Sequence, residues 1–386
     1  MSALSAMNLN GQTVAIMLQG ARIATVTPVA GPARATIIPL PVEPHVHLDK
    51  AFTAHRAPRT EPGLFGAIAA MDQDKLHWTA DDLRTRIHRG LSEAYAAGVR
   101  ALRSHVDWPG AAMPLAWEVM GEAAAEWADR LTLQRASLTA LDDFADVNTA
   151  RTIAKQVAGD GGVLGAFIYR HAEVEVRLRL IFDLAEAHDL RLDFHVDEGL
   201  DPEARALDAI VAETARRGFG GRVLCGHACS LSIRDADDLT CTAEAAAGAG
   251  VALTIQPTAN LYLQDMAHGR MPLLRGLAPA QELRGAGVQV MLGTDNVCDP
   301  FVPFGAFDPL ETLRLAWIAG HLTPEDWLDA ITDAPACALG LTPSLIAPGE
   351  PADFLILPAP TLSEALARPG VRRQVWRQGT PLARKA

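Results

Sequence analysis

The stretch IIPLPVEPHVH, residues 37–47, is predicted to form the first strand of a parallel sheet. It is rich in Ile, Leu and Val, and it ends in two histidines separated by one residue, His45 and His47. Side chains alternate across a strand, so both imidazoles point to the same face. Such a pair is a weak signal alone, but its position at a strand end favours a functional site.

Seven similar apolar segments follow in the chain, separated by helical stretches. The predicted strands cover residues 99–106, 131–136, 162–168, 190–196, 222–227, 251–256 and 288–294. Apolar residues at spacings of three and four predict helices over residues 81–97, 113–128, 176–188 and 202–217. Strands that alternate with helices indicate an α/β fold with a parallel sheet. Eight such units predict a (β/α)8 barrel of the TIM type.

The two chain ends do not follow this period. Residues 13–29, 352–357 and 372–379 have the pattern of short strands broken by glycine and proline. The segment ADFLIL, residues 352–357, is too apolar to remain in water, so we expect the two ends to pair. The predicted organisation is a small β-sandwich-like domain of residues 1–39 with 343–386, beside a barrel of residues 40–342.

Composition excludes several classes of protein. The 386 residues include 34 Lys and Arg against 46 Asp and Glu, a net charge of −12, which argues against binding to nucleic acid or to an anionic membrane. No apolar run reaches the ~18 residues of a spanning helix, and the first ten residues lack the pattern of a signal peptide. The expected location is the cytoplasm. The 5 cysteines include no C-x-x-C, which argues against a disulfide framework and a cysteine zinc site.

Two more predicted strands end in residues that can bind a metal. His195 closes the fifth strand with its side chain facing inward, and Asp295 follows the eighth strand at the rim. Three neutral imidazoles and one carboxylate suit Zn²⁺ or Fe²⁺ with one position open for water. Four unrelated inward polar side chains would instead bury charge without a partner, which is costly. We therefore predict a divalent metal ion held by His45, His47, His195 and Asp295.

Two residues beside this set are candidates for catalysis. Glu198 lies three residues after His195, where its carboxyl can act as a proton carrier; the alternative is a solvated loop carboxylate. His227 ends the sixth strand and can orient the attacking water, with an ordinary core histidine as the alternative. No lysine lies in or just after the fourth strand. This absence argues against a bridging carboxylated lysine, and so for one metal ion rather than two.

Five motifs carry a family resemblance. They are PVEPHVHLD (residues 41–49), GLF (63–65), RSHVD (103–107), HVDE (195–198) and DPFVPFG (299–305). With the histidine after strand six and the aspartate after strand eight, they make the chain similar to the amidohydrolase superfamily, and within it to bacterial cytosine deaminases. The resemblance runs nearly end to end. It implies His45, His47, His195 and Asp295 as metal ligands, Glu198 as acid/base and His227 as the histidine that activates water.

Departures from that pattern concern the substrate. The resembled deaminases carry a glutamine after strand three that reads the pyrimidine edge, whereas the matching positions here hold Ser137 and Leu138. Asn296 replaces a second aspartate, and Lys50 replaces a threonine. The LDK ending at residues 48–50 is more similar to aminohydrolases that remove alkylamines from s-triazine rings. We expect these four side chains to contact the substrate and cytosine to be a poor one; a surface position is the alternative for Lys50.

The predicted function is that of a metal-dependent aminohydrolase, in which an activated water attacks the amine-bearing carbon of a small nitrogen heterocycle. One alternative uses the same mononuclear site to hydrolyse a cyclic or linear amide. Another is a non-catalytic barrel in which a structural metal supports ligand binding. The expected partner is a small molecule rather than nucleic acid or membrane, and a homo-oligomer is left open.

Overall fold

The computed structural model describes residues 2–383 and contains two sheets. The strands are β1 (Ser2–Leu9), β2 (Gln12–Gln19), β3 (Arg22–Pro28), β4 (Ala35–Pro39), β5 (Val42–Val46), β6 (Ala101–Asp107), β7 (Thr132–Ala140), β8 (Leu164–Ile168), β9 (Leu192–Val196), β10 (Val223–His227), β11 (Ala252–Ile255), β12 (Val290–Leu292), β13 (Phe354–Leu357), β14 (Gln374–Arg377) and β15 (Thr380–Pro381). Each of β5–β12 pairs in parallel with the next along the chain. A bridge from Val46 to Asp295 joins the first of them to the end of the last. The predicted (β/α)8 barrel is confirmed.

Helices surround this barrel. They are α1 (Gly63–Lys75), α2 (Ala80–Ala97), α3 (Leu115–Trp127), α4 (Val147–Gly159), α5 (Val174–Ala187), α6 (Ala206–Arg217), α7 (Ala236–Ala249), α8 (Pro257–Leu263), α9 (Ala280–Gly285), α10 (Pro309–Gly320), α11 (Asp333–Ala338) and α12 (Leu362–Leu366). Local sequence sets their ends: the Thr79 side chain accepts a hydrogen bond from the Asp82 amide at the start of α2, and Gly98 ends α2 with a φ of 101°. Within residues 2–383, no helix is long and apolar enough to cross a membrane.

The second sheet is built from both chain ends. Its strand order is β15-β14-β13-β4-β1-β2-β3, and β13 pairs antiparallel with β4, with Leu355 opposite Ile38. A separate apolar core lies against it, including Ile16, Ile37 and Phe354. The expectation that the two ends pair is therefore confirmed.

The predicted first strand, residues 37–47, is wrong as one element. The structure places residues 37–39 in β4 of the terminal sheet and begins the barrel strand β5 at Val42. Pro39 and Pro41 have no amide hydrogen to donate, so a continuous ladder cannot cross this segment. Strand β1 was not predicted, because its sequence, SALSAMNL, has no run of β-branched residues.

Strand β7 is longer than predicted. It ends at Ala140, four residues after the predicted end at position 136, and its pairing places Leu138 beside Asp107 of β6. The extra residues carry β7 to the carboxyl edge of the barrel, where active sites of this fold lie. Leu138 thereby belongs to the mouth of the barrel.

Candidate active site

Five histidines from four strands converge at the carboxyl end of the barrel. They are His45 of β5, His47 just after β5, His105 of β6, His195 of β9 and His227 of β10. All five are buried. The His45 and His195 ring centroids are 4.3 Å apart, and the Nε2 atoms of His47 and His195 are 3.2 Å apart. Two nitrogens this close, aimed at each other, are suited to share one central ion.

A carboxylate completes the cluster. Asp295 follows β12, and its Oδ1 lies 3.5 Å from His45 Nε2 and 3.2 Å from His47 Nε2. Burial alone would raise the pKa of Asp295, but the facing imidazoles of His45 and His47 outweigh it and hold the pKa well below its usual value. The residue has a φ of 68°, a left-handed conformation that is rare outside glycine. Backbone strain of this kind is characteristic of functional sites.

The seam between the first and last barrel strands holds these ligands in place. The Asp295 amide donates to the His45 carbonyl at 2.9 Å. Glu43 accepts hydrogen bonds from the Thr294 amide at 3.0 Å and the Thr294 hydroxyl at 2.5 Å. Burial raises the pKa of Glu43 to about 8 despite these bonds. The buried carboxyl thus ties the backbone before His45 to the backbone before Asp295.

The donor set fits a metal ion. Within the described part of the chain, both Asp295 oxygens and the Nδ1 atoms of His45, His47 and His195 are buried without a hydrogen-bond partner. Such orphaned polar atoms are costly unless something binds them. Two groups, His45 with His47, His105 and His195, and His45 with His227 and Asp295, each bring ligand atoms within 4.8 Å of one another. Imidazole and carboxylate ligands together suit Zn²⁺ or Fe²⁺.

His105 was not predicted as part of this cluster. Its ring centroid lies 4.1 Å from that of His45, and its Nε2 lies 3.1 Å from Asp193, which also pairs with Arg103 at 2.7 Å. Burial lowers the pKa of His105 to about 4, so the ring is neutral at pH 7. Alternation along the RSHVD motif, which places residues 103, 105 and 107 on one face, could have found it.

Glu198 and His227 lie side by side next to the cluster. His227 Nδ1 is 3.5 Å from Glu198 Oε1 and 3.0 Å from Asn260 Nδ2, and the His227 amide donates to Gln256 at 2.9 Å. Burial lowers the pKa of His227 to about 3, which keeps the ring neutral. Burial, then the nearby Asp295 charge, raises the pKa of Glu198 well above its usual value. A protonated carboxyl beside a neutral imidazole can donate a proton at neutral pH.

A cavity of about 260 Å³ opens onto these groups. His47, His195, Glu198, His227 and Asp295 line its floor. Three of the four predicted substrate residues also line it: Lys50, Leu138 and Asn296.

Ser137 does not line this cavity among the described residues, which contradicts its predicted contact with substrate. Its buried hydroxyl accepts a hydrogen bond from the Gly165 amide at 3.0 Å. Neighbouring residues of a strand point to opposite faces, so Leu138 faces the cavity and Ser137 cannot. A Cβ at Gly165 would lie 2.1 Å from the Ser137 carbonyl oxygen, which explains the glycine at this close approach.

The other two polar candidates have defined partners. Asn296 Nδ2 donates to Asp299 Oδ2 at 2.6 Å, which engages one of its two N–H donors and fixes the orientation of the amide. Lys50 is 4% exposed, and its ammonium lies 2.9 Å from Asp107 and 5.1 Å from the centre of the Phe301 ring. The surface alternative for Lys50 is therefore wrong.

Six further lining residues were not predicted from the sequence. They are Lys75, Asp107, Trp108, Asp143, Phe167 and Phe301. Asp107 could have been found, because it lies two residues after His105 on the same strand. Lys75 could not, because helix α1 lies outside the strand ends and its placement over the mouth depends on tertiary packing against α8 and Phe301.

A (β/α)8 barrel with imidazoles and a carboxylate at its carboxyl end defines the class of metal-dependent hydrolases. Within this class the chain belongs to the amidohydrolase family, whose sequence pattern matches residues 63–383.

Similar proteins include a pterin deaminase from Rhizobium rhizogenes (strain K84 / ATCC BAA-868). It is 36% identical over 345 residues, which are 88% of this chain and 79% of that protein. The structure of 5-methylcytosine deaminase from Klebsiella pneumoniae with 5-fluorocytosine superposes with a TM-score of 0.85 at 26% identity, covering 99% of this chain and 97% of that one. N-isopropylammelide isopropylaminohydrolase from Burkholderia multivorans gives 0.80 at 25% identity, covering 100% and 99%. The predicted family resemblance is confirmed.

Proposed function

We propose that this chain is a metal-dependent hydrolytic deaminase that replaces an amino group on a nitrogen heterocycle with oxygen. The convergence of Glu198, His227 and Asp295 on one cavity, beside buried imidazoles that lack partners, carries the proposal. The similar proteins described above support it, because each is named as a deaminase or aminohydrolase of a heterocycle.

The proposed metal site holds one divalent ion, Zn²⁺ or Fe²⁺, bound by His45, His47, His195 and Asp295. When bound, such an ion supplies positive charge that makes a water molecule acidic near neutral pH. We further propose that residues 40–342 form the catalytic barrel and that residues 1–39 with 343–386 form the supporting β-domain.

Asp295, His227 and Glu198 have different roles in the proposed proton transfers. Asp295 is ionised and accepts a proton from water, while neutral His227 orients that water toward the amine-bearing ring carbon. Glu198 is protonated and gives its proton to the adjacent ring nitrogen, so the carbon becomes electrophilic. The oxygen of water bonds to that carbon. The proton held by Asp295 then passes to the amine, the ionised Glu198 takes the remaining hydroxyl proton, and the carbon–nitrogen bond breaks as the carbonyl forms. The products are the oxo-heterocycle and ammonia.

The proposed substrate is a bicyclic amino-heterocycle of the pterin type rather than cytosine. Leu138 gives the β7 wall no hydrogen-bonding group for a pyrimidine edge, and Asp299 engages one of the two N–H donors of Asn296. A site built to read polar groups rejects rings that leave its own groups unpaired. The 36% identity to a pterin deaminase supports the larger ring.

Ammonia release from a panel of amino-heterocycles tests this substrate assignment. With metal-loaded protein, we expect 2-amino-4-oxopteridine to be deaminated and cytosine to react with a kcat/KM below ~10⁵ M⁻¹s⁻¹, a value common for enzymes on their own substrates. The panel also includes aminopyrimidines and alkylamino-s-triazines as comparisons. Efficient turnover of cytosine would contradict the assignment, and a new carboxylate without ammonia would favour the amide hydrolase alternative.

A further inference from the structure

A three-residue bridge forms one wall of the cavity. Asp107, at the end of β6, pairs through Oδ1 with Lys50 at 2.9 Å and through Oδ2 with Lys75 at 2.5 Å. Lys50 belongs to the loop after β5 and Lys75 to the last turn of α1. All three residues line the cavity, and we name this unit the lysine bridge.

The lysine bridge offers a ligand free hydrogen-bond donors and an excess of positive charge, because two ammoniums share one carboxylate. Each Asp107 oxygen is already paired with an ammonium. An ammonium carries three N–H donors. Among the described residues, Lys50 pairs only with Asp107, and Lys75 pairs with Asp107 and Asp72, so N–H donors remain on both. The Asp72 side chain is 56% exposed, so solvent screens its charge.

The position of the bridge places those donors against the substrate. Lys50 is almost fully buried against the face of Phe301, and its charge acts on Glu198, so its ammonium is close to the reacting end of the cavity. Lys75 lines the same cavity from a different element, helix α1. A ligand in this cavity that reaches the catalytic groups is therefore expected to contact the ammonium groups of Lys50 and Lys75.

We propose that Lys50 and Lys75 are specificity-determining residues that bind an anionic oxygen substituent, such as a carboxylate, carried on the ring of the heterocycle. Hydrogen bonds between an ammonium and a carboxylate are stronger than neutral ones, so this group satisfies the free donors best. The proposal deepens the proposed function and rests on it, because it names the substituent that the same site prefers. A cationic substituent would instead meet the like charge of the two ammoniums.

Three rings test the proposal. They are 2-amino-4-oxopteridines whose second ring carries a carboxylate, a methyl group or an aminomethyl group. For the unmodified chain we expect the kcat/KM ratio of the carboxylate ring to the methyl ring to exceed ~10. In Lys75→Gln we expect that ratio to fall by ~10-fold, mainly through a higher KM for the carboxylate ring. Lys75→Arg, which keeps the charge, retains most of the preference.

The controls separate a binding role from a structural one. Lys155→Gln changes an exposed lysine of α4 and is expected to leave the ratio unchanged. Thermal unfolding midpoints show whether Lys75 only stabilises the packing of α1 against the barrel. A variant that is merely less stable loses activity on all three rings equally, so its ratio does not change. Lys50→Met is the second variant, and it is expected to lower the same ratio.

Two outcomes would overturn the proposal. An unchanged ratio in both lysine variants would remove the bridge from substrate recognition. Preference for the aminomethyl ring would instead assign the recognition to Asp143, a carboxylate that also lines the cavity. If none of the three rings releases ammonia, the proposed function is wrong, but the binding preference can still be tested. The ratio of the dissociation constants of the carboxylate and methyl rings, measured by calorimetry, then replaces the kcat/KM ratio.

Discussion

Glu198→Gln is expected to lower kcat on 2-amino-4-oxopteridine by ~10²-fold or more while the metal content stays unchanged. The carboxyl is the group proposed to protonate the ring nitrogen, and a glutamine has nearly the same shape but no proton to give. Glu198 lies beside His227 and is not one of the proposed metal ligands, so we expect the variant to keep its metal. Steady-state kinetics with metal analysis by atomic emission measure both quantities.

Glu203→Gln is the matched control for this variant. Glu203 lies in the loop that follows β9, five residues after Glu198, and its side chain is 83% exposed. The control is expected to keep full activity. Loss of metal from the Glu198 variant would instead place that carboxyl among the ligands and remove its role as proton donor.

His195→Ala is expected to abolish activity and to release the metal. The imidazole lies at the centre of the cluster, with its Nε2 3.2 Å from that of His47. Loss of a ligand should weaken metal binding by more than the roughly 10- to 100-fold that loss of an outer hydrogen-bond partner costs. Metal content after dialysis and ammonia release are the two measurements.

An exposed histidine provides the control for the ligand variant. His188 follows α5, far from the strand ends that carry the site, and His188→Ala is expected to change neither metal content nor rate. If the His195 variant kept its full metal content and full rate, the ligand set proposed above would be wrong.

The barrel and its cluster could be predicted because two simple periodicities encode them. Alternation of side chains along a strand identified His45, His47 and His195 as inward-facing, and the strand–helix order placed them at one end of a barrel. The structure brings these residues together with Asp295 and His227 in one cluster. Apart from His45, all of them line one cavity with Glu198.

The errors also have physical causes. The first strand was drawn through Pro39 and Pro41, although neither can donate to a strand ladder. Ser137 and Leu138 were both assigned to the substrate, although adjacent strand residues face opposite ways and only Leu138 reaches the cavity.

The remaining part of the site depends on tertiary contacts that local sequence does not specify. The burial of Lys50 could not be derived from a loop sequence, because it depends on Asp107 and Phe301, which lie about 60 and 250 residues away in the chain. Lys75 enters the cavity wall only because α1 packs over the mouth of the barrel. Such residues belong to the substrate end of the site, where loops and helices rather than strand ends supply the groups.

The central claim is that deamination depends on an ion bound by the histidine and aspartate cluster. Metal-free protein titrated with Zn²⁺ or Fe²⁺, with ammonia release from 2-amino-4-oxopteridine followed at each addition, tests it most directly. We expect no release without metal, a rate that rises in proportion to bound metal, and a plateau at about one equivalent per chain, as four ligands and one water require. Release of ammonia at full rate from the metal-free protein would contradict the account.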